Sequence, residues 1–280
     1  MIQDIFPKHL KNTFHHEIAA EANDNLIFFE NGRIYINYDS NNNELSFPKM
    51  ADSREIINVI YLFSIDDQRF FLVFDKKLIP SSYKPLGLNE IRQLKIFNKE
   101  NIYAVFTAFH LWKWYMDNQY CGRCGHATMH DSVERALVCP VCKNTIYPRL
   151  NPAVIIGIIH GEKILLTKYN TGFSHNALVA GFTEIGETLE ETVQREVMEE
   201  VGLKVKNIVY YKSQPWGIAQ DILVGFFCQV DGDETIYMDS SELKYANWVE
   251  RDKVELQPTD YSLTNEMMKI FKEGKDPFSK

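Results

Sequence analysis

The chain has 280 residues, 45% hydrophobic and 24% charged, which is ordinary for a globular protein and long enough for two or three compact units. Its net charge of −8 argues against nonspecific binding to nucleic acid, although bound cations can still attract an anionic substrate. The apolar stretch at 153–159 is too short to cross a bilayer and no secretion signal opens the chain, so we expect a cytoplasmic protein without a membrane partner.

The first 116 residues are predicted to form an N-terminal α+β domain. Strand-like runs occupy residues 26–29, 33–36 and 70–74, and Asn31-Gly32 predicts a tight turn between the first two. Residues 100–116 predict a helix with an aromatic-rich face. We assign these aromatic rings to core packing.

Residues 117–149 contain two Cys-x-x-Cys pairs, Cys121 with Cys124 and Cys139 with Cys142. In a chain without an export signal, this spacing favours a metal site over disulfides. Two such pairs close a tetrahedral Zn²⁺ site and leave no coordination position open, so the predicted zinc is structural. The alternative is four reduced, free thiols.

Residues 150–280 change pattern again and are predicted to form a third domain. Apolar strands are expected at 154–159 and 163–166, a helix at 188–201, strands at 207–212 and 222–230, and a closing helix at 264–273. Strands and helices mix without regular alternation. The pattern therefore predicts an α+β fold or a mixed-sheet sandwich.

The predicted helix at 188–201 begins and ends with strong local signals. Thr188 and Glu191 have the spacing of a capping box, and Gly202 suits a left-handed helix end. Four aliphatic residues recur at every fourth position and supply a stripe for burial: Leu189, Val193, Val197 and Val201.

The polar face of this helix is unusually acidic. Between Glu184 and Glu200 there are seven glutamates and one basic residue, Arg195. Like charges one turn apart, such as Glu196 and Glu200, cost a helix roughly 0.2–0.5 kcal/mol per pair. Clustered carboxylates are favourable where Mg²⁺ or Mn²⁺ binds among them, and Arg195 is spaced to bind the carboxylate of Glu199. The alternative is a solvated acidic helix.

The segment from Gly181 to Leu203 resembles the Nudix box at every defined position. These positions are Gly181, Glu187, Arg195, Glu196, Val197, Glu199, Glu200, Gly202 and Leu203. The resemblance implies a Nudix α/β/α sandwich with a mixed sheet in residues 150–280, and hydrolysis of a diphosphate bond. It also implies that Glu196, Glu199 and Glu200 bind catalytic Mg²⁺ or Mn²⁺, with Glu200 as general base and Arg195 and Glu187 in the catalytic set.

The order of the three domains resembles that of NADH pyrophosphatases, which place a four-cysteine ribbon before the Nudix domain and a Ser-Gln-Pro-Trp motif, here residues 213–216, after the box. The resemblance implies a homodimer that cleaves NADH or NAD to nicotinamide mononucleotide and AMP. It implies that Tyr147 and Phe182 stack on the substrate base, although the residues alone favour core packing for both rings. It further implies substrate contacts from Glu134, Gln214, Pro215 and Trp216, and metal contacts from the carbonyl of Ala180 and from Glu242.

One segment departs from the pattern of that family. After Trp216 the family continues Pro-Phe-Pro-x-Ser, whereas this chain has Gly217-Ile-Ala-Gln-Asp221. We expect a less preorganised loop, in which Asp221 either repels a phosphate or binds a ribose hydroxyl. ADP-ribose and dinucleoside polyphosphates therefore stay open as alternative substrates.

Three other functions are weighed against hydrolysis of the free dinucleotide. Removal of NAD caps from RNA cleaves the same bond, but the acidic charge disfavours it. A non-catalytic nucleotide sensor with a DNA-binding ribbon is disfavoured because the box is complete. An isomerase explains neither the ribbon nor residues 213–216.

Overall fold

A computed structural model describes residues 1–15, 18–52, 58–171 and 175–279. The chain divides into two compact units, one of residues 2–149 and 216–220, the other of Met1 and residues 150–215 and 221–280. In the described ranges, every helix is too short or too polar to cross a lipid bilayer. The predicted domain boundaries at 116/117 and 149/150 stay a prediction.

The first unit is built from short strands and one long helix. Its strands are β1 (Leu10–Lys11), β2 (Asn25–Ile27), β3 (Phe29–Glu30), β4 (Arg33–Asp39), β5 (Glu44–Ser46), β6 (Ile60–Ile65), β7 (Gln68–Leu72), β8 (Lys84–Gly87), β9 (Met129–His130), β10 (Leu137–Val138) and β11 (Thr145–Ile146). Its helices are α1 (Leu88–Ile91) and α2 (Lys99–Asp117). The strands form sheets of order β1-β6-β7-β2, β3-β4-β5 with β8 on β4, and β11-β10-β9.

Most of the elements predicted for the N-terminal region are present. Asn31 and Gly32 both have positive φ, 52° and 73°, and turn the chain between β3 and β4 as predicted. The strand expected at 26–29 is instead two strands, β2 and β3, in separate sheets. On α2, Phe106 and Trp114 are buried, which agrees with core packing for these two rings.

The second unit contains a six-stranded mixed sheet and two helices. Its elements are β12 (Asn151–His160), β13 (Lys163–Tyr169), β14 (Val179–Phe182), α3 (Leu189–Val201), β15 (Val205–Trp216), β16 (Asp221–Val230), β17 (Leu243–Glu250) and α4 (Leu263–Lys272). The strand order is β15-β16-β12-β13-β17, with β14 paired to β12. β12 and β16 are parallel, whereas β12 pairs antiparallel with β13 and β14.

Alternate residues of β12 face opposite sides of this sheet. Val154 and Ile156 pack in a core with Val193, Val197 and Val201 of α3. The neighbouring Ile155 and Ile159 pack in a second core with Leu263, Met267 and Phe271 of α4. Because a strand points successive side chains to opposite faces, one helix covers each face. This arrangement confirms the α/β/α sandwich and the α+β class.

Helix α3 forms as its sequence predicts. The Thr188 side chain accepts a hydrogen bond from the Glu191 amide, and the Glu191 carboxylate accepts one from the Thr188 amide, which completes the capping box. Gly202 ends the helix at φ 69° in the left-handed region. The helix is therefore anchored at both ends and presents its acidic face from a fixed position.

Candidate active site

Strand β14 and helix α3 place the acidic residues against the backbone of residue 181. A Cβ at Gly181 would lie 1.9 Å from Cδ of Glu196, so the carboxyl group of Glu196 occupies the space that a side chain would need. Glycine at this position therefore allows the helix to bring Glu196 directly onto β14.

Arg195 joins three of the glutamates. Its guanidinium donates to Glu187 through Nε (2.6 Å) and Nη2 (2.9 Å), and Nη1 donates to Glu196 (2.7 Å) and Glu199 (2.9 Å). Nη2 also donates to the carbonyl of Phe182 at 2.9 Å. Bonding to Arg195 lowers the pKa of Glu187 to about 2. The sequence predicted the contact with Glu199, whereas its spacing alone did not indicate the contacts with Glu187, Glu196 and Phe182.

Glu200 lies on the inner side of the acidic face and is 3% exposed. Burial, and then the nearby charges of Glu196 and Glu242, raise the pKa of Glu200 to about 8. Without a cation this carboxyl group therefore keeps a proton at neutral pH. Burial also raises the pKa of Glu196. Glu242 precedes β17 in the sequence, and its charge influences both glutamates of α3.

Two donors reach Glu200 from other elements. The hydroxyl of Tyr169, at the end of β13, lies 3.2 and 3.4 Å from the two carboxylate oxygens. The backbone N–H of Ala180 on β14 donates to the same carboxylate. Tyr169 was missed by the sequence reasoning, because a tyrosine at the end of an apolar strand has no feature that distinguishes it from a core residue.

The carboxylates offer the oxygen donors that Mg²⁺ and Mn²⁺ prefer. The charge of Glu242 raises the pKa of both Glu196 and Glu200, and the charge of Glu196 also raises that of Glu200; a divalent cation would relieve this repulsion. In the described residues, however, the four cysteines are the only group of three or more Cys, His, Asp or Glu side chains whose ligand atoms all lie within 4.8 Å of one another. The glutamates of α3 are not yet gathered that closely. Glu196 and Glu199 instead bind Arg195, so a cation would have to draw them partly away from the guanidinium.

The four cysteines, in contrast, already have their sulfur atoms gathered around one point. The Sγ atom of Cys124 lies 3.4 Å from the Sγ atoms of Cys139 and Cys142, and the Sγ atom of Cys121 lies 3.6 Å from that of Cys142. A tetrahedron with Zn–S bonds of about 2.3 Å has sulfur–sulfur edges of roughly 3.8 Å, close to these separations. Backbone N–H groups, first that of Arg123, lower the pKa of Cys121 to about 6, which favours the thiolate that zinc binds. The four cysteines fit a structural Zn²⁺ site.

The two rings predicted to stack on a base are open to solvent. Tyr147 is 57% exposed and Phe182 is 52% exposed, so core packing does not describe either ring. The hydroxyl of Tyr147 donates to Glu134 at 2.6 Å, which ties together two of the predicted substrate contacts.

Two residues of the Ser-Gln-Pro-Trp motif, Gln214 and Trp216, are buried and contact other parts of the protein. Gln214 is fully buried, its Nε2 donates to the carbonyl of Tyr261 at 2.7 Å, and its Oε1 accepts from the amide of Leu263 at 2.7 Å. Gln214 therefore fixes the start of α4. The buried ring of Trp216 packs edge-on against Phe106, and the guanidinium of Arg92 lies 5.1 Å from its centroid. These contacts favour structural roles for Gln214 and Trp216, and their substrate contacts, like that of the intervening Pro215, stay predictions.

The loop that departs from the family is not loosely packed, contrary to our expectation. A Cβ at Gly217 would lie 1.9 Å from the carbonyl oxygen of Phe106, so the glycine allows a close approach to α2. Gln220 is buried and accepts a hydrogen bond from Arg149 at 2.5 Å. The loop is held by packing where the family uses prolines.

Asp221 follows this loop as the first residue of β16. It is 4% exposed, and its Oδ1 has no hydrogen-bond partner in the described structure. Burial raises the pKa of Asp221 to about 6. An unpaired buried acceptor is costly unless a donor reaches it, so Asp221 remains a candidate for contact with a ligand hydroxyl or amide.

Two family models match separate segments of the chain. The NUDIX domain model matches residues 149–269, which include the acidic helix α3 and the six strands of the mixed sheet. This chain carries a Nudix domain. The model of the NADH pyrophosphatase zinc ribbon domain matches residues 117–147, which include all four cysteines. Both parts of the resemblance found in the sequence are thereby confirmed.

Curated relatives match about half of the chain. Over 149 residues it is 41% identical to the NAD-capped RNA hydrolase NudC of Escherichia coli (strain SMS-3-5 / SECEC) and 40% identical to that of Escherichia coli O9:H4. Each match covers 52% of this chain and 57% of the relative, so the chain spans little more than half the length of these proteins. Among solved structures, a NUDIX hydrolase from Nitrosomonas europaea superposes with a TM-score of 0.49 at 18% identity, covering 55% of this chain and 91% of that one.

Proposed function

We propose that this protein is a metal-dependent Nudix hydrolase that cleaves the diphosphate bond of NADH or NAD into nicotinamide mononucleotide and AMP. The observation that carries the proposal is the acidic face of α3, where buried Glu200 adjoins Glu196 and Glu242. The ribbon of the NADH pyrophosphatase type, and the curated relatives named for NAD-capped RNA, support this substrate class over ADP-ribose or dinucleoside polyphosphates.

Each residue of the acidic cluster has a proposed role. Glu196, Glu199, Glu200, Glu242 and the carbonyl of Ala180 would bind Mg²⁺ or Mn²⁺. When bound, these cations neutralise phosphate charge and make a water molecule more acidic. Glu200 takes the proton of the attacking water as general base, a role that suits a carboxyl group whose pKa lies near neutrality. Arg195 and Glu187 keep the carboxylates in place through their paired hydrogen bonds.

Recognition of the substrate is proposed for residues outside this cluster. The exposed ring of Phe182, next to the Nudix box glycine, is suited to stack on a base. Tyr147 and Glu134, joined by their hydrogen bond, are proposed to contact the substrate, and Asp221 offers its unpaired oxygen to a hydroxyl. Gln214, Pro215 and Trp216 are proposed to act by fixing the surrounding structure.

A second candidate activity is the removal of NAD caps from RNA. The name of the curated relatives supports it, and the bond to be cleaved is the same. The net charge of −8 disfavours it, because binding of an RNA chain usually requires a basic surface. A homodimer, a cytoplasmic location and the three domains 1–116, 117–149 and 150–280 also belong to the proposal.

A substrate panel tests the proposal. NADH, NAD, ADP-ribose, ADP-glucose and NAD-capped RNA are incubated with Mg²⁺ or Mn²⁺, and the products are separated by chromatography. We expect nicotinamide mononucleotide and AMP from NADH or NAD at the highest kcat/KM. Turnover of another diphosphate with NADH untouched would refute the substrate and keep the hydrolase class. No turnover of any diphosphate would refute the enzyme.

A further inference from the structure

Tyr169 brings one hydroxyl group to the centre of the acidic cluster. Besides the two oxygens of Glu200, the hydroxyl lies 3.4 Å from the carbonyl of Ala180 and 3.5 Å from that of Leu178. β13 supplies the tyrosine, β14 and the residue before it supply the two carbonyls, and α3 supplies the carboxylate. A shift in strand register between Lys168 and Tyr169 occurs at this point of β13.

This hydroxyl is one of few groups that restrain Glu200. A tyrosine O–H donates one hydrogen bond, and here four acceptor oxygens surround it. The carboxylate receives its other donor from the Ala180 N–H, and in the described ranges no Lys, Arg or His forms an ion pair with it. The charges of Glu196 and Glu242 repel it. Without the hydroxyl, the Glu200 carboxylate would be fixed from one side only.

We infer that Tyr169 is a positioning residue, whose hydroxyl orients the carboxylate of Glu200 toward the cation and the attacking water. The inference rests on the proposed function, because that carboxylate belongs to the proposed metal shell. Donors that bond to a metal ligand fix its direction, and their loss typically costs about 10–100-fold in metal affinity or activity.

The first test is Tyr169→Phe, which removes one oxygen atom and keeps the ring that packs beside the core of α3. We expect kcat for NADH to fall about 10–100-fold with KM changed less than about twofold, and Mn²⁺ to bind about tenfold more weakly in calorimetry. Unchanged kcat and unchanged Mn²⁺ affinity would overturn the inference.

Tyr211→Phe is the matched control. Tyr211 is also a partly buried tyrosine of the second unit, and its hydroxyl donates to a glutamate, Glu266, at 3.0 Å. It lies outside the acidic cluster. We expect its kcat and Mn²⁺ affinity to equal those of the wild type. Equal losses in both variants would indicate a general effect on stability and would refute a positioning role.

A double-mutant cycle separates positioning from folding. In a Glu200→Gln background, Tyr169→Phe should lower the remaining kcat less than about twofold, because the carboxylate it orients is already gone. A full additional loss would contradict the inference. If the wild type cleaves no diphosphate, the proposed function fails, whereas the Mn²⁺ titrations of wild type and Tyr169→Phe still decide whether the hydroxyl supports a cation site.

Discussion

The cysteine cluster and the acidic face of α3 are both suited to bind cations, but they are in different states. The four sulfurs already lie within 4.8 Å of one another, whereas Glu196 and Glu199 are bound to Arg195 and Glu200 to Tyr169. The ribbon is therefore shaped for one permanent ion. Under the proposed function, Arg195 and Tyr169 hold the carboxylates until cations and substrate bind. A structural site closes its ligand shell, and a catalytic site keeps part of it open.

The largest effect is expected from removing one ligand of the four-cysteine zinc site. Cys139→Ser should abolish zinc binding and unfold residues 117–147, because structural zinc supplies roughly 10–16 kcal/mol of binding free energy in small zinc domains. Zinc per chain, measured by plasma mass spectrometry, and hydrogen exchange of the ribbon check this. Cys228→Ala, which removes the fifth cysteine, should keep its zinc. A zinc content of one per chain in Cys139→Ser would contradict the four-cysteine site.

The next largest effect is expected on kcat, from a substitution in the acidic face of α3 that leaves the zinc ribbon intact. Glu200→Gln should lower kcat about 10²–10⁴-fold while zinc content stays unchanged, since the amide cannot accept the water proton. Glu190→Gln, an exposed position on the same helix, is the control and should keep full activity. Steady-state kinetics with NADH provide the measurement. Equal activity in both variants would remove Glu200 from the mechanism.

A smaller effect is expected in the pH dependence of stability without Mg²⁺ or Mn²⁺. Burial raises the pKa of Glu200 from 4.5 to about 8, so the folded state retains a proton that the unfolded chain releases. Stability should therefore be highest at low pH within this range and fall as the pH rises from about 4.5 to about 8. The pKa change of Glu200 sets an upper limit of roughly 5 kcal/mol on this loss of stability. We expect about half of that loss, because the protein relaxes around a buried charge.

Urea unfolding of zinc-loaded protein between pH 6 and 9 measures this loss. In Glu200→Gln, the free energy of unfolding should change little over the same pH interval. Mg²⁺ should stabilise the wild type more at pH 8 than at pH 6, because at pH 6 a proton on Glu200 competes with the cation. Parallel curves for wild type and variant would show that Glu200 is not the titrating group.

The smallest effects are expected from substituting one glycine beside the acidic face of α3 and one in the zinc ribbon. Gly181→Ala places a Cβ 1.9 Å from the Glu196 carboxyl group, which can rotate away, so stability should change little while kcat falls about tenfold. At Gly122, beside the zinc ligands, nothing lies within 4 Å of the added Cβ. Gly122→Ala should therefore keep its zinc, its activity and its stability within about 0.5 kcal/mol. A larger kinetic loss at Gly122 than at Gly181 would reverse the comparison.

Local patterns were enough to predict much of this protein. The Cys-x-x-Cys spacing indicated the metal cluster, and the capping box, the aliphatic stripe and Gly202 placed α3 within one residue of its observed start at Leu189 and end at Val201. Asn31-Gly32 located a turn, and the clustered glutamates marked the candidate site. These features depend on residues a few positions apart, whose geometry is set by the backbone itself.

Tertiary structure decided which distant residues complete the site. The hydroxyl of Tyr169 reaches Glu200 across 31 positions, and Gln214 is bonded to Leu263 across 49. The two exposed rings, Tyr147 and Phe182, and the close approach of Gly217 to Phe106 likewise have no local signature. Such contacts arise because folding packs helices against strands and loops that are far apart in the chain. Sequence periodicity determines which face of a strand is apolar, but only the folded sheet determines which side chains meet there.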